Sequence, residues 1–111
     1  MNNDEWGKDP SVRNMRKVFK EMESAQHTFL ERLGIPPYDP RMRKWRDRAL
    51  ALFERAWVVA NRVGILMDGK KASVVYIHCL ARLIASEGKE IPRGILPQGN
   101  DVEVILKEVL Q

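Results

Sequence analysis

Apolar residues recur between positions 10 and 33 at Val12, Met15, Phe19, Met22, Phe29 and Leu33, in steps of three and four that only Gln26 interrupts. With 3.6 residues per turn, that rhythm returns each side chain to one face and predicts a helix over 10–33 with a single packing seam. Asp9-Pro10 suits its start: an acceptor side chain is followed by a proline whose missing N–H is harmless at the first helical position. Gly34 suits its end, and Pro36-Pro37 prevents continuation because each proline lacks a donor and restricts the residue before it.

The Asp-Pro pair returns at Asp39-Pro40, and the rhythm resumes at Met42, Trp45, Ala49, Leu52, Ala56, Val59 and Val63. A second stripe, Leu50, Phe53, Trp57 and Ala60, runs beside it, so the helix predicted over 40–66 has a wide apolar face that contacts more than one neighbour. This places the second helix at the centre, antiparallel to the first, with both on the order of 36 Å long. Asp68-Gly69 reads as a turn that closes the segment.

From Lys70 to Glu87 the residues Val74, Val75, Tyr76, Ile77, Cys79, Leu80, Leu83 and Ile84 cover most of a helix circumference, leaving a polar line through Lys71, His78, Arg82, Ser86 and Lys89. The β-branched run also suits a strand, but no second strand-like segment exists to pair with it. Residues 91–99, rich in proline and glycine, form an extended connector. A last helix over 100–110 begins at Asn100, with Glu103 completing a capping-box-like pair, and presents Val102, Ile105, Leu106 and Val109 on one face. It is too short to persist alone and must dock. The expected fold is all-α: a small helical bundle built on a long antiparallel helical hairpin, with a third buried helix and a short C-terminal amphipathic helix.

With 111 residues, 44% hydrophobic and 31% charged, the chain suits one α-helical domain over 9–111, preceded by a flexible tail over 1–8 that carries Trp6. The apolar surface exceeds what so short a chain covers, which predicts a homodimer. The single cysteine, Cys79, excludes an internal disulfide framework. No basic leader precedes an apolar run and no segment reaches about 18 uncharged apolar residues, so no membrane association is inferred and the cytoplasm is the expected location.

Charge alters the picture most. Residues 41–62 hold seven basic and two acidic groups, a net +5, whereas residues 87–111 hold three basic and five acidic, a net −2. Cations at the start of a helix oppose its dipole by about 0.3 to 1 kcal/mol each, so a cluster there suggests an anionic partner. Arg41, Arg48, Arg55 and Arg62 lie seven apart on one line, and with Arg43 and Lys44 they form the candidate basic face. Arg13, Arg16, Lys17, Lys70 and Lys71 form a second patch, expected at one end of the bundle. Against this stands ordinary surface chemistry, in which arginines flank apolar seams and pair with acids such as Glu31 or Asp47.

Other chemistry finds little anchor. His78 and Cys79 offer an imidazole beside a thiol, but adjacent helical residues diverge by about 100°, so the expectation is a buried structural cysteine and an exposed histidine. His27 between Glu23 and Glu31 resembles a ligand trio but is equally ordinary surface spacing. Gln26 either reaches the surface from the seam edge or fixes register at an oligomer interface. With no phosphate loop, no His-Glu-x-x-His and no nucleophile elbow, the chain is expected to be non-enzymatic, with no cofactor, metal or small-molecule substrate. The resulting expectation is an interaction module, an adaptor or small subunit, whose basic face binds an acidic partner. The alternative is a nucleic-acid-binding accessory protein using the same face.

Overall fold

The computed structural model describes residues 10–99 and 101–110, with side chains from Met15 onward. Four α-helices are present among these residues: α1 (Pro10–Leu33), α2 (Met42–Val63), α3 (Gly69–Ser86) and α4 (Val102–Val109), with a 3-10 turn at Arg93–Ile95 between the last two. The tail over 1–8 and the Asn100 cap lie outside the described residues. No described helix is long and apolar enough to cross a membrane.

The helices end where the backbone has a way out. At Gly34 (φ 73°) and Gly64 (φ 76°) the chain turns left-handed. The next N–H then donates back to a stranded carbonyl, Ile35 to Leu30 at 3.0 Å and Ile65 to Ala60 at 2.9 Å. The start of α2 differs from the expectation. Asp39 does not cap it; its Oδ1 accepts from the Arg41 backbone N–H at 2.9 Å, and its carboxylate grips the Arg41 guanidinium. This local turn delays the helix to Met42. Asp68 is likewise no terminator. Its side chain accepts from the Lys71 N–H at 2.8 Å, making it the N-cap of α3.

α3, not α2, takes the centre. α1 and α2 each pack extensively on α3, α4 packs on α2 and α3, and α1 and α2 touch each other little. α1 runs parallel to α3: the Glu21 carboxylate sits against Gly69, where a Cβ would collide with it, and further along Gln26 meets Tyr76. α2 runs antiparallel, with Lys44 reaching Glu87 just beyond the end of α3. The return segment after α3 runs back along it: His78 Nε2 donates to the Pro97 carbonyl at 2.8 Å, and Gly99 lies near Val74. Enclosed on these sides, α3 buries Val74–Ile77, Cys79–Ala81 and Ile84. The apolar circumference legible in its sequence is the reason it is innermost.

Gln26 faces α3 and keeps part of its surface open to solvent. It is half-buried, and its Oε1 accepts from the Tyr76 hydroxyl, so the polar break in the α1 seam is satisfied inside the fold. His78 is half-buried rather than exposed, held by the Pro97 carbonyl. In α1 the buried positions are Val18, Met22, Phe29 and Leu30, whereas Met15 and Phe19 of the expected seam are 47% and 45% exposed.

Burial pushes the Cys79 thiol up to about 12 from an ordinary 9.0. It also pushes the Tyr76 hydroxyl to about 12 from 10.0, against the pull of Arg46. The folded chain therefore keeps protons that the unfolded chain surrenders as pH rises through 9 to 12. Stability contributed by these neutral forms is complete below about pH 9 and is lost above it. Thermal melting between pH 8 and 11 is expected to show a falling midpoint from about pH 9, with the early part of the fall reduced in Cys79→Ala. An unchanged slope in that variant would show that Cys79 does not contribute.

Candidate functional site

Helix geometry divides the expected basic face. At about 100° per residue, Lys44, Arg48, Arg55 and Arg62 fall within about 40° of one another on α2, whereas Arg43 lies on the opposite flank beside Arg46. The first flank is turned toward the acidic end of the chain. Lys44 approaches Glu87 at 3.5 Å and Arg62 pairs with Glu108 of α4. The acids that answer these cations come from beyond α3, not from Glu31 or Asp47.

Arg41 is occupied differently. Its guanidinium pairs with Asp39 at 2.8 Å and lies 4.8 Å from the centre of the Trp45 ring. The hydrogen bond from Arg41 holds the Asp39 carboxyl down at about 2. Arg41 therefore clamps the entrance of α2 and stacks on a buried tryptophan, whose Nε1 has no hydrogen-bond partner among the described residues.

Arg43, Arg46, Arg48 and Arg55 are exposed and form no ion pair among the described residues. The first turn of α2 contains no acid. Arg46, Arg43, Lys44 and Arg48 follow one another around its outer side, with Asp47 the one acid among them. Like charges are thus crowded at the positive end of a helix dipole.

Beside them opens a groove of about 700 Å³ between α1 and α2, which exists because both helices lean on α3 and leave a gap above it. Leu30, Met42 and Gln26 lie at its base. Lys20, Glu23 and His27 form the α1 wall, and Arg43, Arg46 and Asp47 the α2 wall. Sequence reasoning missed Lys20 and Arg46 as members of one site. Their spacing shows each on a helix flank, but not that the flanks face each other.

The second patch is dispersed. Lys71 is half-buried and approaches Asp101 at 3.6 Å, Lys70 and Lys17 are exposed, Arg16 is engaged elsewhere, and the Arg13 side chain lies outside the described residues. Lys70 and Lys71 border a separate hollow of about 710 Å³ between α3, the return segment and α4, which Asp68 and Glu103 also line. Among the described residues no group of three or more His, Cys, Asp or Glu side chains is arranged to hold a metal. The Cys79 thiol is sealed from solvent and held neutral, the opposite of an activated nucleophile. Comparison with protein-family models, curated proteins and solved structures finds no match for this chain.

Proposed function

We propose that this chain is a non-enzymatic interaction module, an adaptor or small subunit, that binds an acidic partner at the first turns of α2 and the adjoining groove. One observation carries the reading: Arg43, Arg46 and Arg48 are gathered in the first two turns of α2, where Asp47 is the one acid, and are left without ion pairs among the described residues. Their mutual repulsion is relieved by an anion, which also steers its approach. A protein is favoured over nucleic acid because, among the described residues, neither tryptophan is free for base stacking, which leaves Tyr38 as the exposed ring in the turn before α2. Trp45 is buried, and Trp57 is half-buried, edge-on to Phe53 at 5.7 Å. A reducing compartment, the cytoplasm, suits a chain whose single cysteine is free and buried.

The test is fluorescence anisotropy of a labelled oligoglutamate peptide and of a mixed-sequence duplex DNA. Each is titrated with the wild-type chain, with Arg43→Glu/Arg46→Glu/Arg48→Glu, and with Arg62→Glu as a control whose cation is already paired. The expected result is peptide binding that weakens at least about tenfold in the triple variant and changes little in the control, since each tenfold step is about 1.4 kcal/mol. Peptide binding that is absent, or indifferent to the triple variant, overturns the proposal. DNA bound more tightly than peptide, with a steep salt dependence, transfers the surface to the nucleic-acid reading.

A further inference from the structure

Gln26 interrupts the apolar seam of α1, and it borders the groove between α1 and α2. Half of its amide is spoken for. The oxygen accepts from the Tyr76 hydroxyl of α3, and that phenol, whose ionisation burial pushes up to about 12, stays a donor throughout the physiological range. The nitrogen, with two N–H groups to give, has no hydrogen-bond partner among the described residues. Nor is it sealed in the core. Among those residues Trp45 Nε1 alone is a fully buried side-chain nitrogen or oxygen without a partner, so the Gln26 N–H groups keep an opening, and the groove is what Gln26 borders. Arg46 lines the same groove, close enough for its charge to pull on the Tyr76 hydroxyl. Apart from His27, the charged groups around it are Lys20, Arg43 and Arg46 against Glu23 and Asp47, three cations to two acids.

We propose that the Gln26 amide, tethered by Tyr76 and flanked by Arg46 and Arg43, forms a carboxylate pocket in which one carboxylate of the partner is seated as an anchor. The inference rests on the proposed binding of an acidic partner beside the first turns of α2, and adds the point at which a single anion is oriented. Donor chemistry selects the ligand. An amide N–H2, two guanidinium groups and the Lys20 ammonium all give hydrogen bonds, and a guanidinium fork matches the two oxygens of a carboxylate. Charge narrows the choice. A lining with one cation in excess suits a monoanion, whereas Glu23 and Asp47 stand against a phosphate, which carries nearly two charges. Leu30 and Met42 at the base keep water from one side of the pocket, which strengthens a charge-assisted hydrogen bond there. Exposed arginines attract any anion, but an amide fixed in one orientation rewards a ligand that accepts from it. The pocket also gives a reason for glutamine at a seam position that leucine would fill.

The experiment is an N–H correlation NMR titration of the full chain that follows the Gln26 side-chain N–H2 signals, identified by their absence in Gln26→Leu. Two probes are used. Hexaglutamate with acetylated and amidated ends offers side-chain carboxylates alone, and acetyl-Gly-Ser-Gly-Leu with a free C-terminus offers a chain end alone. The Gln26 signals are expected to move with one of them, which names the source of the carboxylate. Fluorescence anisotropy of that probe then compares wild type with Gln26→Leu/Tyr76→Phe. This variant removes the amide and its tether together, keeps every arginine and the ring that meets Phe53 edge-on, and leaves no orphaned hydroxyl. Binding is expected to weaken about tenfold while the thermal midpoint stays near that of wild type. A double variant that does not fold leaves the decision to the Gln26 signals. The proposal is overturned if neither probe moves them, or if a folded double variant binds like wild type. Hexaglutamate binding that needs Arg43, Arg46 and Arg48 while the Gln26 signals stay still removes the pocket and leaves the proposed function standing. Signals moved by the chain-end peptide, with hexaglutamate unbound, keep the pocket and remove the acidic-partner reading.

Discussion

Replacing Leu80 with alanine is expected to lower the free energy of unfolding by about 2–5 kcal/mol in a urea titration, whereas Leu66→Ala, in dilute protein, is expected to change it by less than about 0.5 kcal/mol. Both remove the same three carbons. Leu80 is fully buried in the helix against which α1, α2 and α4 all pack, so its deletion opens a cavity that the surrounding helices cannot close without moving together. Leu66 is 76% exposed and leaves no cavity behind. A Leu80→Ala cost below about 1 kcal/mol would mean that α3 is not the element the bundle is packed around.

Overpacking is expected to be nearly as harmful where α2 meets its neighbours. Ala49, Ala56 and Ala60 are fully buried on α2, and Ala72 is fully buried on α3, so the helices come together over methyl groups with no room for longer side chains. Ala56→Leu is expected to destabilise by about 1–3 kcal/mol or more, because three added carbons must displace a neighbouring helix or adopt a strained rotamer. Ala51→Leu on the exposed side of α2 serves as the comparison and is expected to be nearly neutral, both residues being good helix formers. A neutral Ala56→Leu would indicate an interface loose enough to absorb the side chain.

The helices themselves were legible because each writes its period into the chain. α1 occupies the residues its seam predicted, and α3 begins and ends within one residue of the expected span. The spatial order was not legible, since two stripes on α2 announce a wide face without saying which neighbour fills it, and α3 filled it. Met15 and Phe19 illustrate the same gap: a stripe shows which side faces inward, but whether anything waits there depends on where α3 starts. Val18 and Leu30 lie one step beside the chosen seam, where adjacent registers of three and four overlap. Asp39 and Asp68 offered the same capping chemistry, and only the local turn decided that one grips Arg41 while the other caps a helix. For the candidate site, each arginine was visible in the sequence. The division of Arg43 from Lys44, Arg48, Arg55 and Arg62 follows from the angle between residues, but the acids that answer Lys44 and Arg62 lie more than forty positions away and became visible only in the folded chain.

The central place of α3 also orders events in time. A ribosome that has released residues only as far as Val63 has delivered two amphipathic helices whose common partner is still inside the exit tunnel, and the slight contact between α1 and α2 gives them little to hold each other by. Folding of this chain is accordingly a late and cooperative event. Nascent chains arrested before residue 86 are expected to be digested readily by protease, and resistance to arise in one step once the third helix has emerged.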